Sequence, residues 1–258
     1  MNHGICLLSI IPCRKEPSGM SEMVTQLLFG DAYTVVESQE DWLKIETTFD
    51  HYPCWISAKQ HQPLSEKEFN QLDSSIISSE LVQVITNLDS KAVFPITIGA
   101  TLPNFKNNQC IIGSHTFLFE GVTASNSLKK MVEDLKQTAF LFLNAPYMWG
   151  GKSPFGIDCS GFTQLIFKLN GYQLPRDAFQ QVELGMPLSF VEEAQTGDLA
   201  FFDNEEGSIV HVGMVIDNQQ IIHASGSVRI DKFDHYGIFN SDTKKYSHML
   251  RVIKHLLN

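Results

Sequence analysis

Basic residues are scarce in this 258-residue chain. Lys and Arg number 19 against 29 Asp and Glu, and the formal net charge is −10. A binder of nucleic acid needs a basic face for phosphate, so that class is excluded. Cysteine is also sparse: the five residues at 6, 13, 54, 110 and 159 are odd in number and contain no C-x-x-C pair. This excludes a complete disulfide framework and a cysteine-rich zinc site, and it points to a reducing compartment. Long apolar runs are missing too. No segment approaches the ~18 apolar residues that span a bilayer, so no membrane partner is expected. The N-terminal run ICLLSIIPC lacks a basic leader and a small-residue cleavage site. It reads as a first β-strand ended by Pro12, in a cytoplasmic protein. No internal repeat stands out.

Apolar residues make up 43% of the chain, enough for real cores. Residues 1–60 read as short strands broken by Gly, Pro and Asp: QLLFGDAYTVVES with a turn at Gly30-Asp31, then DWLKIETTF and YPCWISA. That pattern predicts a small β-barrel. Segment 65–82 is polar and serine-rich, without a sustained helical stripe. Strand-like stretches return over 81–122, consistent with a second, degenerate barrel over 61–124. From about 125 the character changes. LKKMVEDLKQTAFLFLNAP carries Met131, Leu135 and Phe142 at helical spacing and is closed by Pro146. SGFTQLIFKLNGY predicts a helix over 160–169, stopped by Asn170-Gly171. TGDLAFF, SIVHVGMVID, QQIIHASG and HMLRVIKH follow as strands, so residues 125–258 are expected to be α+β, helices first and then an antiparallel sheet.

Cys159 sits in GIDCSGF, at the start of that helix, where free N–H groups and the helix dipole favour a thiolate. A lone cysteine there is equally a small buried hydrophobe, the reading given to the other four. His211 and His223 each interrupt an apolar strand, which is costly unless they are partnered. They are either a satisfied core pair or a base and its orienting group for the thiol. Their spacing from Cys159 matches no common zinc pattern, and no metal or cofactor is expected. If the two strands form a hairpin, His211 opposes His223 directly only when the turn centres on Asp217, in a three-residue loop Ile216-Asp217-Asn218. A two-residue loop at Asn218-Gln219 turns the rings to opposite faces unless a bulge intervenes.

DCSGF, TGDLAFF and HVGMVIDNQQIIHASG, in this order and spacing, resemble the NlpC/P60 family of cysteine peptidases. EPSGMSEMVTQLLFGD, DWLKI and YPCWI resemble a bacterial SH3 (SH3b) domain. The resemblance implies a papain-like catalytic domain behind one or two SH3b-type barrels. It makes Cys159 the nucleophile, His211 the base and His223 the third polar residue. The architecture is similar to γ-D-glutamyl-L-diamino acid endopeptidases, which implies a murein tripeptide or related peptide with a free N-terminal L-Ala as substrate, and recycling of imported murein peptides as the task. By the same resemblance Asp177, in Arg176-Asp177-Ala178, holds the substrate amine. Glu22 and Tyr52 form the barrel wall of the pocket. Tyr147 and Trp149 line the groove, and Asp158 and Ser160 flank the nucleophile. Two rival functions use the same residues: a wall-binding protein with a decayed catalytic domain, and an acyltransferase with an apolar acyl pocket.

Overall fold

The computed structural model describes residues 2–217 and 219–256. The front of the chain forms a seven-stranded antiparallel sheet in the order Met23–Leu28, Ile10–Arg14, Pro53–Ser57, Trp42–Thr47, Ala32–Gln39, His3–Ile5, Gln62–Leu64. Alternating apolar residues put Ile11, Leu27, Tyr33, Ile45 and Ile56 into one core, with Cys6, Cys13 and Cys54 among them. Pro12 does not end a strand. It lies inside Ile10–Arg14, opposite Gln26. Proline is tolerated there because the other neighbour, Pro53–Ser57, meets this strand only at Arg14.

The strand Gln62–Leu64 carries the front sheet past the expected boundary at 60. The serine-rich stretch holds a helix that its composition hides, Glu66–Asn70, started by a reciprocal cap between Ser65 and Glu68. A second sheet runs Val93–Thr97, Val82–Asn87, His115–Leu118, Gln109–Ile112, and a separate pair joins Ile76–Ser78 to Thr123–Ser125. Its core is shared with the front sheet. Ile5, Leu28, Phe29 and Leu64 pack among Ile85, Ile96, Cys110 and Phe117. Phe29 meets Phe117 edge-on at 5.1 Å.

In the last part the helix Val132–Phe140 is shorter than its apolar pattern predicts. Leu135 is buried as expected, but Met131 is the exposed N-cap, and Phe142 enters the core from beyond the helix end. The helix Cys159–Leu169 is buried on every side. The following sheet has the order Met186–Pro187, Lys245–His255, Leu199–Asp203, Ile209–Asp217, Gln220–Ser225, Ser227–Asp234, Gly237–Asn240. Gly237–Asn240 also pairs with Lys245–His255, so the sheet closes on itself. Ser227–Asp234 and Gly237–Asn240 are not legible in the sequence: Arg229, Asp231 and Lys232 break the alternation of the first, and the second is only four residues long.

The central hairpin differs from the three-residue loop expected. Asp217 pairs with Gln220, leaving only positions 218 and 219 between them, and the register shifts between Val215 and Asp217. Asn218 lies outside the described residues. The shift restores even parity: Val215 opposes Ile221 and Met214 opposes Ile222. A side chain on Gly213 would meet the His223 Cβ at 2.9 Å, so Gly213 and His223 share a face. His211, two residues before Gly213, shares it as well. The histidines therefore meet diagonally rather than directly opposed, and a bulge instead of an odd loop brings this about.

The Cys159 helix is tied to both front sheets through Lys168. Its buried ammonium donates to Asp31 Oδ1 at 3.3 Å, the Gly99 carbonyl at 2.9 Å and Thr101 Oγ1 at 3.4 Å. Burial pushes the Lys168 pKa down, and Asp31 opposes that shift. Removing the carboxylate leaves a buried charge without its counter-ion. Asp31→Ala is expected to cost about 3–5 kcal/mol in urea unfolding. A loss below about 1 kcal/mol would mean that the pair does not hold the helix to the barrels.

Candidate active site

Cys159 is the first residue of its helix and is 6% exposed. The chain reaches it through a tight approach. Gly150 has φ +73°, and a Cβ there would lie 2.3 Å from the Met23 carbonyl oxygen. Asp158 caps the helix by accepting from Gly161 N–H at 2.7 Å, while its other oxygen accepts from Gly150 N–H at 2.8 Å. Arg176 grips the same carboxylate with two bonds of 3.0 and 2.6 Å. It also donates to Ser160 Oγ at 2.9 Å and, across to the front barrel, to Thr25 Oγ1 at 3.0 Å. Asp158 and Ser160 border the cavity described below, but much of their hydrogen-bonding capacity is spent on holding the helix start. Arg176 is itself only 1% exposed. A charged residue next to Asp177 gives no sign in sequence that it is buried.

The Cys159 thiol receives a backbone hydrogen bond from Val212, the residue after His211. Burial, then the Asp158 charge, pushes its pKa up to about 12. Burial, then His223 and His248, holds His211 well below its ordinary 6.5. Both shifts have one physical origin: a lone charge in this dry site is unsupported. The raised thiol and the lowered imidazole both favour their neutral forms. His211 Nε2 lies 2.8 Å from His223 Nδ1, and His223 Nε2 lies 3.1 Å from Asp231 Oδ2. His248 stacks on His211 with centroids 4.0 Å apart. Sequence reasoning missed Asp231 and His248. Both lie on strands whose neighbours only the closed sheet reveals. Among the described residues, no group of three His, Cys, Asp or Glu converges to hold a metal ion.

Cys159 opens into a cavity of about 630 Å³ between the front barrel and the last part of the chain. Glu22 and Tyr52 wall it from the barrel side, and Trp149, Asp158, Ser160 and Asp177 from the other. Trp149 Nε1 donates to Glu22 Oε1 at 2.7 Å, and Lys15 pairs with Glu22 at 3.4 Å. Asp177 accepts from the Tyr52 hydroxyl at 3.5 Å, a long bond, and is the N-cap of the short helix Ala178–Gln181. Burial pushes the Asp177 pKa up against the opposing pull of Arg176. Tyr147 does not line the cavity. It is half-buried against the core, and burial together with the Cys159 and Asp158 charges raises its pKa to about 12, so the phenol keeps its proton.

A thiol at a helix start, a buried histidine pair on an antiparallel sheet and an acid-walled cavity find close counterparts in known proteins. The profile of the NlpC/P60 family matches residues 144–247, and that of the bacterial dipeptidyl-peptidase Sh3 domain matches residues 13–60. A γ-D-glutamyl-L-lysine dipeptidyl-peptidase of Bacillus subtilis (strain 168) is 33% identical over 215 residues, 78% of this chain and 71% of the relative. The chain belongs to the NlpC/P60 family. A protein of the same name from Bacillus cereus (strain ATCC 10987 / NRS 248) is 30% identical over 234 residues, 81% of this chain and 69% of that one. The solved structure of an NlpC/P60 family protein from Bacillus cereus ATCC 10987 superposes with a TM-score of 0.85 over 99% of this chain and all of that one, at 22% identity, which shows the common fold. This NlpC/P60 protein is a cysteine peptidase with an N-terminal SH3b domain.

Proposed function

We propose that this peptidase hydrolyses the γ-D-glutamyl–L-diamino acid bond of murein-derived peptides that begin with a free L-Ala. The observation that carries the reading is Asp177, a partly buried carboxylate sharing one cavity with Cys159. A carboxylate in a pocket wall is suited to an ammonium group, and the barrel residues Glu22 and Tyr52 wall the same pocket. The two Bacillus relatives are named for a γ-D-glutamyl-L-lysine bond, which supports the γ-glutamyl position and favours lysine as the next residue.

In this mechanism Cys159 gives its proton to His211 Nδ1, since Nε2 is engaged by His223. The thiolate attacks the γ-glutamyl carbonyl. The oxyanion that forms is met by the backbone N–H of Cys159, an unpaired donor at the helix start, with the protonated Tyr147 nearby. His211 then returns the proton to the leaving amine. Water hydrolyses the thioester and releases L-Ala-γ-D-Glu. Asp158, Ser160 and Arg176 hold the helix start, and Trp149 borders the pocket through its bond to Glu22.

A pocket built for a free amine suits released peptides better than intact wall, so the task is recycling. Five free thiols support a reducing, cytoplasmic setting. Among the described residues no helix is long and apolar enough to cross a membrane. The stretch 61–124 is read as a second, degenerate barrel whose first strand, Gln62–Leu64, is lent to the front sheet and whose core is shared with it. The test is product analysis with L-Ala-γ-D-Glu-diaminopimelate, its lysine analogue and their N-acetylated forms. Release of L-Ala-γ-D-Glu from the free peptides, with strong loss on acetylation, is expected. Equal cleavage of acetylated peptide, or preference for an acyl ester, rejects the reading.

A further inference from the structure

Neither imidazole alone decides which nitrogen of His211 is the base. Across the 2.8 Å contact between His211 Nε2 and His223 Nδ1 the proton can belong to either ring. If His223 donates, neutral His211 carries its proton on Nδ1 and has no lone pair for the thiol. If His211 donates, Nδ1 is bare and the base is correctly set. The selection lies one bond further out. His223 Nε2 faces Asp231 Oδ2 at 3.1 Å, and the Asp231 side chain is 1% exposed. An ionised carboxylate only accepts, so His223 must carry its proton on Nε2. Its Nδ1 is then an acceptor, and His211 must donate from Nε2.

We propose that Asp231 is a positioning residue for the reaction, fixing through His223 the tautomer that makes His211 Nδ1 the base. The inference rests on the reading of Cys159 as nucleophile and His211 as base.

The surroundings of Asp231 fit this role. Arg229 holds both of its oxygens, at 2.7 and 3.0 Å, and aims them at His223. Arg229 is itself bound by Asp242 at 2.8 Å, so the guanidinium charge is shared and a net negative charge remains behind His223. Burial pushes the Asp231 pKa up, but the bonds from His223 and Arg229 outweigh it and keep the group ionised. His248 cannot take the role. Burial and the neighbouring His223 hold its pKa at about 4, so it stacks on His211 as a neutral ring. When His211 becomes imidazolium, Asp231 is the buried carboxylate connected to it through a continuous hydrogen-bonded path.

The test combines kinetics with nitrogen-15 NMR of the imidazoles in the resting enzyme. In the unmodified enzyme His223 and His211 should both carry their proton on Nε2. Asp231→Asn keeps the shape but can also donate, so His223 should become a mixture of tautomers. kcat should fall roughly tenfold with little change in KM, and the acid limb of the kcat/KM profile should move to lower pH as the imidazolium loses support. Asp231→Glu should restore part of kcat. An unmodified enzyme with His223 protonated on Nδ1 overturns the proposal, and this outcome needs no variant to fold. So does an Asp231→Asn enzyme whose tautomers and acid limb are unchanged, whatever its melting temperature. Because the tautomers are read without substrate, failure of the proposed peptide reaction leaves this test intact.

Discussion

Cys159→Ala is expected to abolish turnover while leaving the fold and the peptide pocket in place. Its thiol opens on the cavity, whereas Cys6, Cys13, Cys54 and Cys110 are buried in the cores of the front sheets. Burial drives the Cys6 and Cys110 thiols up, Cys110 to about 12, so they are unreactive by the same physics that keeps an isolated Cys159 thiol protonated. In the proposed mechanism, what separates Cys159 is His211, which takes its proton without creating net charge. Alkylation near neutral pH should therefore fall on Cys159 and should disappear in His211→Ala. Truncation to alanine removes one small side chain from a helix start and should cost about 1 kcal/mol in unfolding. The variant should still bind the tripeptide in calorimetry. Appreciable cleavage by Cys159→Ala, or loss of cleavage when any of the other four is changed to alanine, would remove Cys159 as the nucleophile.

Asp177→Asn should lower kcat/KM roughly tenfold to hundredfold, the worth of about 1.5–3 kcal/mol for a charge-assisted bond in a shielded pocket. N-acetylation of the substrate removes the other partner of that bond. The two changes should therefore cost little more together than either alone, and a fully additive loss would mean that Asp177 does not hold the amine. The pH dependence has a definite sign. Burial raises the Asp177 pKa above its ordinary 3.8, and the ammonium requires the carboxylate. KM should thus climb as pH falls through that raised value. In the empty enzyme the same shift means that the folded state binds a proton more readily than the unfolded chain. The ionised group is then a burden whose cost grows as pH rises through the raised pKa. Asp177→Asn should therefore melt at least as high as the parent at neutral pH, trading activity for stability. A large drop in melting temperature would show that Asp177 supports the fold instead.

The closed sheet places the two histidines by a route that local rules do not contain. Hairpin arithmetic permits either an odd loop or a bulge, and the chain takes the bulge between Val215 and Asp217. The register that results is accommodated across the hairpin. Gly213 must lie against His223, where any Cβ would be 2.9 Å from the His223 Cβ. In the same way, Pro12 survives within a strand because one of its neighbours pairs only at Arg14. A scan along the chain sees the proline and not the missing neighbour.

Local chemistry by itself determined the outline. The helix behind Cys159, the strands carrying His211 and His223, the front barrel around residues 23–57 and the absence of a cysteine framework all follow from apolar periodicity, turn residues and motif order, which act between near neighbours. Only the tertiary structure decided the rest. Arg176 and Lys168 look like surface charges in sequence, yet they are buried as the bonds that fasten the helix of Cys159 to the barrels. Asp231 sits in a strand whose charges hide its alternation, and it meets His223 only because Gln220–Ser225 pairs with Ser227–Asp234. Whether a charge is solvated or buried depends on what the distant chain brings to it. The price of burial and the partner that offsets it are therefore properties of the closed fold, not of the residues beside it.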